Sequence, residues 1–206
     1  MINAIMRPFA LPLLLLTLLG CQKNTHPTIG VIPKGASHQF WLTVQAGAIE
    51  AARQYGYEIE WNAPALEIDR SRQIDIMQSM ITRKLAGIAI APVDRQAMVG
   101  VIERAAAESI PVAVYDSDVD TTKRLTYIAT DNREAGRIAA RRMGQILGGK
   151  GKVLIVGFMP GSASTMEREE GFIEETKRSF PSITLLEVQF GMANRAKAMA
   201  VTENAI

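Results

Sequence analysis

Short apolar runs recur along this chain, and a segment with helical apolar spacing follows most of them. This repeat is the feature that most constrains the fold, because strand–helix alternation builds parallel sheets with right-handed crossovers. The first run is Thr28-Ile29-Gly30-Val31-Ile32. Trp41, Val44, Ala48, Ala51 and Tyr55 then fall at helical spacing, and Gly56 ends that helix. In residues 57–61, Ile59 and Trp61 alternate with Glu58 and Glu60, which places this second strand at an edge with one face wet. Ile74, Met77, Ile81 and Leu85 mark a second helix. Residues 87–91 are apolar on both faces and belong at the centre of a parallel sheet. Ala97, Val101 and Ala105 run through a third helix, and Pro111 opens a fourth strand.

Residues 110–132 organise the chain. Ile110-Pro111-Val112-Ala113-Val114-Tyr115 ends in Asp116-Ser117-Asp118, and Leu125-Thr126-Tyr127-Ile128 ends in Ala129-Thr130-Asp131-Asn132. Open α/β sheets bind ligands outside the carboxyl ends of their strands, so both runs deliver polar groups to such a place. A second series starts at Leu125. Asp131-Asn132 caps a helix over 133–147 whose inner face carries Ala135, Ile138, Ala139, Met143, Ile146 and Leu147. After the Gly148-Gly149-Lys150-Gly151 turn come a buried strand over 152–158 and a helix over 164–180. Another strand over 183–190 and a last helix capped by Asn194 follow. The spacing therefore predicts an N-terminal α/β lobe over 28–124 and a partial C-terminal α/β lobe over 125–206.

The N-terminus is different. Arg7 is the only charge before Leu11-Pro12-Leu13-Leu14-Leu15-Leu16-Thr17-Leu18-Leu19, a run that suits the core of a signal peptide over 1–20. It ends in Leu18-Leu19-Gly20-Cys21, which resembles the lipobox of bacterial lipoproteins. On that reading Cys21 becomes the lipidated N-terminus, firmly anchored because it carries more than one acyl chain, and 21–27 is a tether. The other reading is a plain signal sequence with an incidental cysteine.

Several function classes lack their residues. The net charge is +2 and no basic run exceeds Arg141-Arg142, so nucleic acid is not an expected partner. One cysteine excludes an internal disulfide, and two histidines, His26 and His38, make no metal cluster. No Gly-x-Gly-x-x-Gly follows the first strand, and Gly149-Lys150-Gly151-Lys152 precedes a strand rather than opening a helix. No nucleophile–base set is available, so no catalytic residue, cofactor or resident metal is expected.

Four stretches bear on binding. Phe40-Trp41 follows the first strand; such rings stack on flat ligand faces or pack a helix start, and Phe40 is the freer of the two. His38 beside them is a hydrogen-bond donor to ligand or backbone rather than a base. Asp116-Ser117-Asp118 reads as acceptors for ligand hydroxyls, as a metal triplet of nucleotide-sugar glycosyltransferases, or as a solvated loop. Arg168, in Glu167-Arg168-Glu169-Glu170, forks onto ligand oxygens or belongs to a charged helix face. Gly161-Ser162-Ala163-Ser164-Thr165 before it resembles an anion-cradling turn without the ending of a phosphate loop.

Taken in order, the lipobox, Phe40-Trp41, Ala91-Pro92-Val93-Asp94, Ile110-Pro111-Val112 and Asp116-Ser117-Asp118 resemble the ribose-type periplasmic sugar-binding proteins. These are the type I solute-binding proteins of ABC importers. Thr130-Asp131-Asn132 with Gly136, Gly148-Gly149-Lys150-Gly151-Lys152, and Glu167-Arg168 with Gly171-Phe172 extend the resemblance over nearly everything after residue 27. It implies a two-lobed periplasmic-binding-protein-like I fold, with parallel sheets flanked by helices and a second lobe that is incomplete, as in a truncated gene. It implies a monosaccharide or similar polar ligand in a hinged cleft. An ABC permease partner and an extracytoplasmic, lipid-anchored location follow from it too. By the same resemblance Phe40 and Trp41 stack on the ligand, and His38, Asp116, Thr130 and Arg168 contact it. Ser117 stands where the ribose binder has an arginine and Ala91 where it has an asparagine. These departures point away from ribose itself and toward another polyol-like ligand. Three other readings accompany this one. A ligand-sensing domain working with a chemoreceptor or sensor kinase shares the fold. A LacI-like repressor would need a DNA-binding helix-turn-helix where this chain carries the lipobox. A metal-dependent glycosyltransferase would use Asp116 and Asp118.

Overall fold

The computed structural model describes residues 26–205. The expected signal peptide, Cys21 and most of the expected tether lie outside the described residues. The tether's last two residues already rest on the first lobe: His26 Nδ1 donates to the Gly56 carbonyl at 3.0 Å, and the Pro27 carbonyl accepts from Glu58 N at 3.0 Å.

Strands β1 (Thr28–Ile32), β2 (Glu58–Trp61), β3 (Gly87–Ile90), β4 (Val112–Tyr115) and β5 (Thr126–Ile128) form one parallel sheet in the order β2-β1-β3-β4-β5. Helices α1 (Gln39–Tyr55), α2 (Arg70–Thr82) and α3 (Val99–Ala107) make the crossovers. The edge place of β2 and the central place of β3 follow the wet and dry faces read in the sequence. β5 differs from expectation. Leu125 N donates to the Val112 carbonyl at 2.7 Å and β5 pairs along β4, so the expected division between 124 and 125 cuts through a sheet. The backbone of a short strand needs a ladder partner, and β4 supplies it; the first sheet ends at Ile128. In α1, Trp41 and Ala52 are buried while Tyr55 is exposed, so the inner stripe runs one residue out of phase with the expected Ala51 and Tyr55.

The second lobe holds α4 (Asn132–Ile146), β6 (Lys150–Val153), β7 (Val156–Gly157), α5 (Ala163–Ser179), β8 (Ser182–Leu185), β9 (Gln189–Phe190) and α6 (Arg195–Glu203). β6 pairs with β8 and β7 with β9, all parallel. The expected strand over 152–158 is thus two short ladders, and it is only partly buried: Val153 and Gly157 are buried, while Lys152 and Val156 are exposed. Among the described residues β6 and β7 are each paired on one side only, which leaves that surface open.

Helix α4 also buries a different face from the expected one. Asn132, Gly136, Ala140 and Gly144 are buried at four-residue spacing, while Ile138 and Ile146 are exposed. The reason is a backbone-to-backbone crossing with α5. A Cβ on Gly136 would fall on the Arg168 carbonyl oxygen, and one on Gly171 on the Arg133 carbonyl oxygen. Small residues let the helices approach this closely, and arginine–glutamate pairs flank the crossing, with Arg133 on Glu170 and Glu174 and Arg141 on Glu134.

The first lobe's core consists of Ile32, Met77, Met80, Ile81, Ile88, Ile90, Met98, Ile102, Val112 and Val114, between the sheet and α2 and α3. Each such side chain contributes about 1.5–3 kcal/mol through removal from water. One polar side chain is sealed in with them. Gln73 is fully buried; its Nε2 donates to the Pro33 and Ala91 carbonyls at 3.1 and 2.8 Å, and its Oε1 accepts from Val93 N at 2.9 Å. It therefore joins the carboxyl ends of β1 and β3. We expect Gln73→Leu to lower the unfolding free energy by about 3 kcal/mol, because it strands buried backbone groups. Urea denaturation of the two proteins measures this, and an unchanged midpoint would contradict the account.

Candidate functional site

The segments leaving β1, β3 and β4 at their carboxyl ends meet the loop and first turn that open α5. Asp94 helps fix this junction. Its carboxylate accepts from Gln96 N and Ala97 N at 2.9 Å each, and from Arg70 Nε at 2.6 Å. These donors hold the Asp94 carboxyl below the usual range against its own burial, which pushes the other way. Arg70 also donates to the Pro160 carbonyl at 2.9 Å, and Arg95 N donates to the Gly161 carbonyl at 2.8 Å. Gly161 has φ of +96°, and a side chain there would strike the Asp94 carboxylate. The backbone of the second lobe is thus laid directly on the first.

At the centre lies Lys34, which follows β1 through Pro33. Its side chain is 5% exposed. The ammonium reaches Asp116 Oδ2 at 3.0 Å, Ser162 Oγ at 3.2 Å and Ser164 Oγ at 3.1 Å. Burial pushes the Lys34 ammonium below its ordinary value, and the charge and hydrogen bond of Asp116 work against that. Asp116 has φ of +63°, a conformation that aspartate tolerates better than most residues. Ser117 is fully buried beside it; its Oγ accepts from Ser164 N at 3.0 Å and donates to Ser164 Oγ at 3.2 Å.

The expected site residues divide. Asp116 and Ser117 sit in this cluster. The Ser117 hydroxyl, however, is consumed by Ser164 and has no solvent access, so in this structure it is a lobe-to-lobe contact rather than a ligand contact. Trp41 is buried, donates Nε1 to Glu67 Oε1 at 2.9 Å, and meets Tyr115 edge-on with ring centres 6.5 Å apart. Phe40 is 46% exposed and touches Trp41 edge-on, so of the aromatic pair it is the ring open to solvent. His38 was expected to donate; instead its Nδ1 accepts from Phe40 N at 3.1 Å and caps α1. Thr130 is exposed beyond the end of β5. Arg168 is exposed on α5, without an ion pair among the described residues, and its charge is near enough to disfavour the Lys34 ammonium.

Two other expectations change. Asp118 turns away from Asp116 and pairs with Arg124 at 3.2 Å, while Asp116 pairs with Lys34. The two carboxylates are separately neutralised and do not converge on a shared ion. Among the described residues no group of three or more His, Cys, Asp or Glu is placed to hold a metal. The serine-rich turn, which resembles an anion cradle in sequence, instead presents Ser162 and Ser164 to a cation. Lys34 and Glu67 were missed by sequence reasoning. The available signal was a lone lysine in Pro33-Lys34-Gly35, immediately outside a strand's carboxyl end.

A cavity of about 470 Å³ lies on the second lobe between Phe158, Arg168, Glu169, Asn194 and Ala198. Of the expected residues only Arg168 borders it. The converging polar groups around Asp116 mark the junction of the lobes as the better site, since a binding site needs placed polar partners as well as space.

The sequence profile described as the periplasmic binding protein domain matches residues 29–206. The chain belongs to the periplasmic binding protein family. Among its relatives in that family, the ribose import binding protein RbsB of Bacillus subtilis (strain 168) is 27% identical over 86% of this chain and 56% of its own length. The D-allose-binding periplasmic protein of Escherichia coli (strain K12) is 27% identical, over 85% of this chain and 59% of its own length. A solved solute-binding protein from Agrobacterium vitis, bound with alpha-D-tagatopyranose, superposes with a TM-score of 0.81 at 31% identity, covering 87% of this chain and 63% of that one. One from Burkholderia graminis C4D1M, in complex with D-arabinose, gives a TM-score of 0.82 at 31% identity, over 88% and 62%. The chain thus spans about three fifths of the length of these periplasmic binding proteins.

Breaking the buried pair should be costly on either side alone. Asp116→Asn or Lys34→Met is expected to lower stability by about 3 kcal/mol, and the double variant by clearly less than the sum. A double-mutant cycle by thermal or urea unfolding reads the coupling; strict additivity would mean the pair is not formed.

Proposed function

We propose that the protein is a solute-binding lipoprotein that captures a monosaccharide or similar small polar ligand outside the cytoplasmic membrane for an ABC importer. The match of the periplasmic binding protein profile to residues 29–206 carries this reading. Support comes from relatives whose names give ribose and D-allose as their sugars, and from neighbours solved with tagatopyranose and arabinose. The ligand lies between the lobes: the Asp116 carboxylate accepts its hydroxyls, the exposed ring of Phe40 covers an apolar face of the sugar, and Arg168 reaches it from α5. Thr130 and His38 flank this cleft as further polar contacts. No bond is made or broken; the protein's work is to bind and to present. Separate neutralisation of Asp116 and Asp118 speaks against the glycosyltransferase reading.

Calorimetry of the mature chain against D-ribose, D-allose, D-arabinose and D-tagatose tests the capture. At least one sugar is expected to bind with a Kd near micromolar, about −8 kcal/mol. Asp116→Ala should weaken that binding at least about tenfold, by loss of a charged hydrogen-bond acceptor. Absence of heat with every one of these sugars would overturn the sugar assignment.

The lipid anchor is a separate proposal with its own test. Cys21 in Leu18-Leu19-Gly20-Cys21 carries it. Expressed in a bacterial host, the wild-type chain is expected in the membrane fraction and the Cys21→Ala variant in the soluble fraction. Equal partitioning of both would remove the anchor.

A further inference from the structure

We propose that Lys34 is a positioning residue that ties the cleft carboxylate to the second lobe, so that Asp116 and the start of α5 move as one unit. The tie stands on the geometry; only the ligand role of Asp116 rests on the sugar-capture reading above.

The Lys34 ammonium stands among three oxygens from two lobes: it donates to two serine hydroxyls and forms an ion pair with Asp116. Asp116 Oδ2 lies at the end of β4, at 3.0 Å. Ser162 Oγ and Ser164 Oγ lie at the start of α5, at 3.2 and 3.1 Å. Lys34 itself leaves β1, so one side chain gathers two strands of the first lobe and one helix of the second. Its side chain is 5% exposed, which makes water a poor substitute for any lost partner. The ion pair draws Asp116 Oδ2 toward Lys34. Oδ2 faces the ammonium, so Oδ1 is the oxygen left to a ligand hydroxyl.

A second contact supplies a reporter. Ser164 N donates to Ser117 Oγ, next in sequence to Asp116. That amide is protected only while α5 sits on the end of β4. The other lobe-to-lobe bonds, Arg70 to the Pro160 carbonyl and Arg95 N to the Gly161 carbonyl, do not involve Lys34. They can hold the preceding loop when Lys34 is changed, so loss of the tie is local.

The experiment is amide hydrogen exchange on the full chain, for wild type, Lys34→Met and the double variant Ser162→Ala with Ser164→Ala. Both variants are expected to speed exchange of the Ser164 amide about tenfold or more; β3 amides such as Ile88 and Ile90 keep wild-type rates in the serine double variant and report the loss of global stability in Lys34→Met. Lys34→Arg, which keeps the charge, should restore part of the protection. Wild-type protection of Ser164 in both variants would overturn the tie. If Lys34→Met also exposes β3, the protein has been destabilised globally and the serine double variant decides. Calorimetry with D-allose and the other three sugars above completes the test. Where wild type binds a sugar, Lys34→Met should bind it about tenfold more weakly. Equal affinity would overturn the positioning of Asp116. If wild type binds none of the four sugars while Ser164 still exchanges faster in the variants, the sugar reading falls and the tie stands.

Discussion

An ammonium taken out of water keeps its charge only if its hydrogens find acceptors and its charge a counterion. Lys34 meets both conditions by drawing on two lobes. Asp116 gives the counterion, while Ser162 and Ser164 complete the shell. Each of these groups needs its own support. Asp116 stands in a left-handed backbone conformation at the end of β4, and Ser117 locks the start of α5 from the other side. Housing this one charge joins the ends of β1 and β4 to the start of α5.

The first lobe is the rigid side of this arrangement. Strands β1, β3 and β4 are joined to α2 and α3 by a continuous apolar core, and Gln73 fastens the ends of β1 and β3 from beneath. That leaves Lys34 and Asp94 at fixed places on the rim. Asp94, held by two backbone amides and Arg70, then seats the Pro160–Gly161 backbone. The second lobe is organised by a closer and more polar contact, the glycine crossing of α4 and α5 with its flanking ion pairs. Arg168 rides on that crossing, since its own carbonyl lies against Gly136.

Much of the architecture was legible. Period-two and period-3.6 patterns placed the first-lobe helices and strands, and the dryness of residues 87–91 gave β3 its central position. The readings that failed share one cause: they depended on a partner the local pattern does not name. Leu125 opens a second series in sequence, yet β5 joins the first sheet because β4 offers a free ladder. Apolar Ile138 and Ile146 suggest an inner face for α4, but Gly136 and Gly171 permit a backbone approach that buries the small-residue stripe instead. At the lobe junction, Asp116 was singled out from residue type and place. Ser117 was also singled out, but its hydroxyl is used between lobes.

By itself the sequence determined the α/β class, the order of strands and helices, the family likeness and the polar residues at the strand ends, because these follow from local periodicity and residue chemistry. Tertiary structure alone decided which of those polar groups face one another. It paired Asp116 with Lys34 and Asp118 with Arg124, gave the serine turn a cation, buried Trp41 and left Phe40 open. Lys34 lies 82 positions before Asp116 and, as the hydrogen bonds record, 128 and 130 before the two serines. No spacing rule reaches across such distances; only the folded sheet edge and the seating of α5 bring them within 3.2 Å.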